Sequence, residues 1–186
     1  MVEKVGPDPS WDPGPFLRVV SSMETKTGSF GLALRLLGSI LLPLLVGGAA
    51  GWATSQGVRD WYPGLVKPPF NPPGWVFGPV WTLLYILMGV AFFLIWREKG
   101  RSPLAERAMG AWGIQLFLNF LWSFFFFWGQ SPGWAFLEIL LLLLALIWTL
   151  NLFFRVRPLA GWLMTPYLAW VTFASVLNAS IWILNR

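Results

Sequence analysis

Residues 59–89 read RDWYPGLVKPPFNPPGWVFGPVWTLLYILMG, and this stretch decides the fold. Pro63, Pro68, Pro69, Pro72 and Pro73 each remove a backbone donor and push the preceding residue toward extended geometry, so the first half is expected as a loop, not a helix. Trp61, Tyr62, Leu65, Phe70, Trp75 and Phe77 punctuate that loop, more aromatic surface than a linker left in water carries. From Trp75 onward the stretch becomes continuously apolar, with Pro79 placed in the first helical turn, where its missing N–H costs little. A stiff aromatic loop thus feeds directly into an apolar helix, and it reads as a lid over something the helices enclose.

The rest of the chain supplies those helices. Of 186 residues, 56% are hydrophobic and 11% charged, and the mean hydropathy is +0.63. A soluble domain carries about 25% charged residues, so the class is membrane protein. Aromatics make up 18%, high even for a protein with interfacial belts. The absence of Cys excludes disulfides and thiol chemistry, and the absence of His removes the commonest metal ligand and general base. No metal site and no required cofactor are expected. No stretch has the basic, aromatic-interleaved pattern of a nucleic-acid groove, so no nucleic-acid partner is expected.

Residues 1–30, with Pro7, Pro9, Pro13, Pro15 and mixed charges, read as a flexible N-terminal arm without the pattern of a signal peptide. Residues 31–186 form the membrane domain. Five apolar segments fall at about 32–52, 76–96, 108–128, 134–154 and 159–184, each near the ~20 residues a bilayer crossing needs. The lid loop occupies 53–75. Trp52, Trp96, Trp128 and Trp134 mark segment ends, as interfacial aromatics do. Connections of a few residues (GQSPG and RVRP) make their helices antiparallel neighbours. The expected fold is all-α, an integral membrane bundle of five transmembrane helices.

Lys and Arg set the expected orientation. Lys4, Arg18, Lys26, Arg35, Arg97, Lys99, Arg101, Arg107, Arg155 and Arg157 share the N-terminal side, against Arg59, Lys67 and Arg186 on the other. The excess places the N-terminus inside and the lid outside a bacterial cytoplasmic membrane. In a eukaryote the expected site is the mitochondrial outer membrane, where that insertion rule does not hold.

The stretch 61–89 resembles the WYxxLxKPxWxPPxWxFxxxWTxLYxxMG signature of the translocator protein / tryptophan-rich sensory protein family. Residues 115–126 (QLFLNFLWSFFF) and 166–178 (PYLAWVTFASVLN) are similar to later motifs of that family, in order and at compatible spacing. The resemblance covers roughly residues 32–184. Phe70 departs from it, standing where the family has Trp.

Trp81, Tyr85, Met88 and Phe92 share one helix face, and Trp170, Ala174, Leu177 and Asn178 share another. Ordinary packing accounts for such stripes by itself. The resemblance implies more: that Trp81, Trp170 and Ala174 line a ligand cavity. Tyr85, Asn119, Trp122 and Asn178, with Trp61, Tyr62 and Pro72 of the loop, complete the expected binding residues. Asn119 and Asn178 are costly inside a membrane and serve either as interhelical hydrogen bonds or as ligand contacts. Arg59 and Lys67, near the mouth, are candidates for pairing with propionates.

Glu138 sits only about 7 Å, by helix rise, beyond the Pro-Gly pair at 132–133. It is expected to reach the interface and be solvated, the alternative being a cavity group on the lid side. Gly47 and Gly51 form a GxxxG that suits internal packing or dimerisation. Mammalian relatives carry a sterol-recognition motif near the end of the fifth helix, but 176–182 reads VLNASIW and lacks its Tyr, so high-affinity sterol binding is not carried over.

The resemblance implies a membrane protein that binds a tetrapyrrole, protoporphyrin IX, takes part in porphyrin handling under stress or light, and forms a homodimer within membrane lipid. It also implies light-dependent porphyrin degradation as a possible enzymatic activity, with Trp81 and Trp170 as the catalytic candidates, since no acid–base, nucleophile or metal site is in view. The alternative is a transporter or regulatory membrane protein for porphyrins, sterols or other lipophilic ligands. Against alternating access, the five segments show no internal inverted repeat.

Overall fold

Each helix starts or ends where backbone chemistry dictates. The computed structural model describes the backbone of residues 14–186 and the side chains of 28–186. Its helices are α1 (Gly14–Ala53), α2 (Gly74–Trp96), α3 (Pro103–Ser123), α4 (Pro132–Val156) and α5 (Pro158–Leu184). Proline opens α3, α4 and α5, at the position where a missing N–H leaves nothing unsatisfied. Ser102 caps α3, its hydroxyl accepting from the Leu104 N–H at 3.3 Å. Gly100, at φ +78°, takes the left-handed conformation that turns the chain between α2 and α3.

Among the described residues, five helices are long and apolar enough to cross a membrane, the first of them over Gly28–Ala53. The exposed face of α4 carries Leu137, Leu141, Leu144, Ile147 and Trp148, a surface solvated by lipid and not by water.

The chain divides into two units, residues 1–35 and 36–186. Of the first, residues 14–35 are the beginning of α1. That differs from the expected arm over 1–30: residues 14–30 are helical, and 1–13 lie outside the described residues. Apolar periodicity begins only near Leu32, which is why the sequence signal started there.

Within the second unit, α2, α3, α4 and α5 close a ring, each packing against two others in the order α2–α3–α4–α5. Successive members run antiparallel, as the short connections require. The core follows the inward stripes: Leu84, Met88, Ala91 and Ile95 on α2; Ala108, Trp112 and Leu116 on α3; Ile139, Leu142, Leu146 and Phe153 on α4; Met164, Tyr167 and Val171 on α5. Small residues set close approaches. A Cβ on Gly89 would stand 2.5 Å from the Ile40 Cα and from the Ser39 carbonyl oxygen, so α1 and α2 cross in backbone contact. A Cβ on Gly47 would enter the Tyr85 ring, which assigns Gly47 to packing within the chain. Gly51 has no such neighbour.

The expected loop over 53–75 contains more helix than its prolines suggested. Gly57–Trp61 is a π-helical turn and Tyr62–Gly64 a 3₁₀ turn; irregular backbone follows only from Leu65 to Pro73. Pro63 fits because the short helix places it near its own N-terminus. Pro79 lies in the second turn of α2, not the first, since α2 begins at Gly74. Pro166 is carried within α5 without ending it.

Candidate functional site

The lid, the upper halves of α2 and α5, and the upper ends of α3 and α4 converge on one aromatic interior. Two π turns form its top. Beyond Ser123, α3 continues as the π turn Phe124–Trp128, and the carbonyl of Phe127 meets Gly57 of the lid so closely that a side chain there has no room. This widened turn brings both Phe126 and Phe127 against the lid. Trp61 packs edge-on to Phe126 at 5.6 Å between ring centres, and Tyr62 meets Phe127 at 5.7 Å. Trp122 stacks on Phe126 at 5.1 Å. The lid's other arm lies over α5, with Phe70 edge-on to Phe173 at 6.4 Å. The residue that departs from the signature therefore still supplies a lid ring.

One layer below, Trp81 stacks on Tyr85 at 5.4 Å and meets Tyr167 edge-on at 6.1 Å. Trp170 packs between Phe77 at 5.9 Å and Phe173 at 5.6 Å. Ala174, one turn further along α5, is small and half-buried. Below this layer Phe92 lies against Trp112 at 4.3 Å, and the Gln115 amide donates to the Met88 sulfur at 3.5 Å. The interior is thus walled by large flat side chains, roofed by the lid and floored by a packed core.

Polar groups in this interior are few. The Tyr85 hydroxyl donates to Asn119 Oδ1 at 2.8 Å, tying α2 to α3. Trp122 Nε1 donates to Asn178 Oδ1 at 3.0 Å, and Asn178 Nδ2 donates to the Pro132 carbonyl at 2.8 Å. Asn178 therefore joins α3, α4 and α5 with its amide engaged at both ends, the interhelical role of the two considered for it. Glu138 departs from the solvated reading: it is only 6% exposed, and neither carboxyl oxygen has a hydrogen-bond partner. It falls on the inward stripe of α4, between Ala135 and Leu142, so helix phase overrides its nearness to the helix end.

At the mouth, Lys67 folds back onto its own loop. Its ammonium donates to the Leu65 carbonyl at 2.9 Å and the Pro63 carbonyl at 3.2 Å, and lies 4.8 Å from the centre of the Tyr62 ring. Arg59 is exposed on the π turn. The structure thus gives Lys67 a role in shaping the lid. Pro72 is half-buried, its carbonyl accepting from Asn71 Nδ2 at 3.0 Å. The Tyr62 hydroxyl donates to Asn71 Oδ1 at 2.9 Å; burial pushes its pKa above the ordinary value, with Asn71 opposing.

Three contributors escaped the sequence reading. Tyr167 lies three residues before Trp170 on the inward face and was reachable by helical spacing alone. Phe126 was hidden by the π turn, which breaks that spacing. Asn185 left no signal: just beyond α5, its Oδ1 accepts from the Val66 N–H at 2.9 Å, while its Nδ2 donates to the Val66 carbonyl at 2.9 Å and the Ile181 carbonyl at 2.8 Å. It holds the lid strand as a neighbouring β-strand would.

Comparison with known proteins agrees with this architecture. The model of the TspO/MBR family matches residues 39–183. The tryptophan-rich protein TspO of Archaeoglobus fulgidus is 41% identical over 152 residues, covering 82% of this chain and 97% of that protein. The human translocator protein is 42% identical over 128 residues, 68% of this chain and 75% of its own. Protein CrtK of Rhodobacter capsulatus is 34% identical over 154 residues, 83% and 95% of the two chains. With the aromatic lid, the membrane-spanning helices and the signature residues in one framework, this chain belongs to the TspO/MBR family.

Proposed function

We propose that this integral membrane protein binds a tetrapyrrole, protoporphyrin IX in the first instance, inside the α2–α5 ring beneath the lid. One observation carries the reading: Trp81, Tyr85, Tyr167 and Trp170 from two facing helices present flat aromatic surface on several sides, and the lid rings Trp61, Tyr62 and Phe70 pack on Phe126, Phe127 and Phe173 of the same bundle end. Such an enclosure favours a large, flat, mostly apolar ring through stacking area and exclusion of water. Arg59, exposed beside the mouth, is the cation available to a propionate; Lys67 would first have to leave two carbonyls. The protein then serves in porphyrin handling, as a dimer in a bacterial-type membrane with its lid on the outer side.

Under light the same site is suited to oxidative loss of the porphyrin, with dioxygen as oxidant and Trp81 and Trp170 as the oxidisable side chains beside the ring. The test is a titration of the purified protein with protoporphyrin IX, in the dark and then illuminated. Saturable quenching of tryptophan emission in the dark supports binding. Bleaching that persists at the wild-type rate in a Trp81→Phe/Trp170→Phe variant removes the photochemical part and leaves the binding part standing. Absence of saturable quenching removes both.

A further inference from the structure

Glu138 is the one acidic side chain buried within a described membrane-spanning helix, and nothing explained so far uses it. Both its oxygens lack a partner, a condition shared among the described residues by the Trp112 and Trp170 indole N–H groups, Gln115 Oε1 and, within strict hydrogen-bond geometry, the Tyr167 hydroxyl. Tyr167, on α5, has its hydroxyl beside Asn119 of α3 and stands within electrostatic reach of Tyr85 on α2 and of Glu138 on α4. Tyr167 is also in ring contact with Trp81, so this polar set opens on the aromatic wall and not on lipid. Its members are fixed: Glu138 by the inward phase of α4, Tyr167 by burial to 1% exposure, Trp170 between two Phe rings.

A buried acid inside a membrane is costly, and a buried polar atom without a partner adds to the cost. An apolar pocket with a small number of placed polar groups is the usual form of a site that orients its ligand. Here the set offers a carboxyl, a hydroxyl and an indole N–H, which together accept and donate.

We propose that Glu138, with Tyr167 and Trp170, is the orienting contact for the ring nitrogens of the bound ligand, so that the interior prefers a metal-free tetrapyrrole to its metal chelate. This rests on the tetrapyrrole reading above and adds to it the part of the ligand that is recognised. The centre of a metal-free ring carries two N–H donors and two imine nitrogen acceptors, and a tilt of the N–H bonds out of the ring plane exposes them to a carboxyl on the ring face. A square-planar nickel(II) chelate has the same outline and propionates, but its nitrogens are all committed to the metal. Stacking is common to both; hydrogen bonding at the centre is not.

The experiment compares the dissociation constants of protoporphyrin IX and its nickel(II) chelate, in the dark, for wild-type protein and for Glu138→Leu, in lipid nanodiscs. The wild type is expected to favour the metal-free ring by about tenfold, the worth of roughly one hydrogen bond to a buried group. Glu138→Leu is expected to lose that preference while holding the nickel chelate within about twofold. Equal loss of both ligands, or an unchanged preference, overturns the assignment and leaves the tetrapyrrole reading intact. Failure of the wild type to bind either porphyrin overturns that reading, and the inference with it. If Glu138→Leu does not fold, Glu138→Gln keeps the volume and takes its place. A shift of the Glu138 carboxyl infrared band on adding the metal-free ring, absent with the chelate, is the second readout; an identical band in both overturns the contact.

Discussion

Replacing Asn185 by Ala removes a clasp that lies outside the aromatic interior yet holds its roof. In the structure the Asn185 amide exchanges a reciprocal pair of hydrogen bonds with the Val66 backbone, both 2.9 Å, and the same amide caps the Ile181 carbonyl. These bonds are exposed, so water replaces part of each, and the low end of the usual 0.5–1.5 kcal/mol per bond applies. Two bonds give about 1 kcal/mol between lid-closed and lid-open forms, roughly a fivefold change in their ratio. Hydrogen exchange of the Val66 amide in nanodiscs reads this directly. Asn185→Ala is expected to speed that exchange about fivefold and to shorten the residence of a bound porphyrin by a similar factor, with thermal stability almost unchanged. Asn185→Asp retains the acceptor for the Val66 N–H but not the donor, and is expected to fall between. Unchanged exchange across residues 65–73 in Asn185→Ala would refute the clasp.

The inner amide behaves differently. Asn178→Leu orphans the Trp122 indole and the Pro132 carbonyl together and is expected to cost about 2 kcal/mol, seen as a lower Tm in detergent and a red-shifted Trp122 emission. Gly89→Leu drives a side chain into the α1 backbone at Ile40 and is expected to prevent a stable fold, whereas Gly78→Ala, with open space around it, leaves expression and Tm unchanged. Tyr62 sets a pH limit on the lid. Its raised pKa means that the folded state holds the phenolic proton more tightly than the unfolded chain, so its contribution is complete below the ordinary value of 10.0 and is lost as pH rises beyond it. Porphyrin retention is therefore expected to be flat from neutral pH to about 9 and to fall above about 10, the fall being absent in Tyr62→Phe.

The bundle was legible because membrane helices obey simple rules. Apolar runs of bilayer length placed α2 and α5 within two residues of their observed starts, and short connections paired the later helices as antiparallel neighbours. Where the reading missed, a second influence had overridden the local one. Prolines at 63 and 79 read locally as loop and first-turn signals, yet a 3₁₀ turn and the interior of α2 accommodate them. Glu138 was placed by depth, but helix phase turns it inward. The spacing of Trp81, Tyr85 and Trp170 follows 3.6 residues per turn and so announces their helix faces, while their expected place at a ligand comes from the resemblance alone. Phe126 is not announced in this way, because a π turn shifts the count, and Asn185 acts through backbone groups that no side-chain pattern announces.

A structure of the protein saturated with protoporphyrin IX bears most directly on where the ligand sits. The ring is expected inside α2–α5, in contact with Trp81, Tyr167 and Trp170, beneath Trp61 and Tyr62, with Asn185 still holding Val66. An open apolar cleft of about 280 Å³, lined by Val46 of α1 and by Gly113, Leu116, Phe117 and Phe120 of α3, offers a different position on the lipid-facing side. A ring found there, with the interior aromatic packing unchanged, would mean that the lid and its tryptophans do not form the binding site.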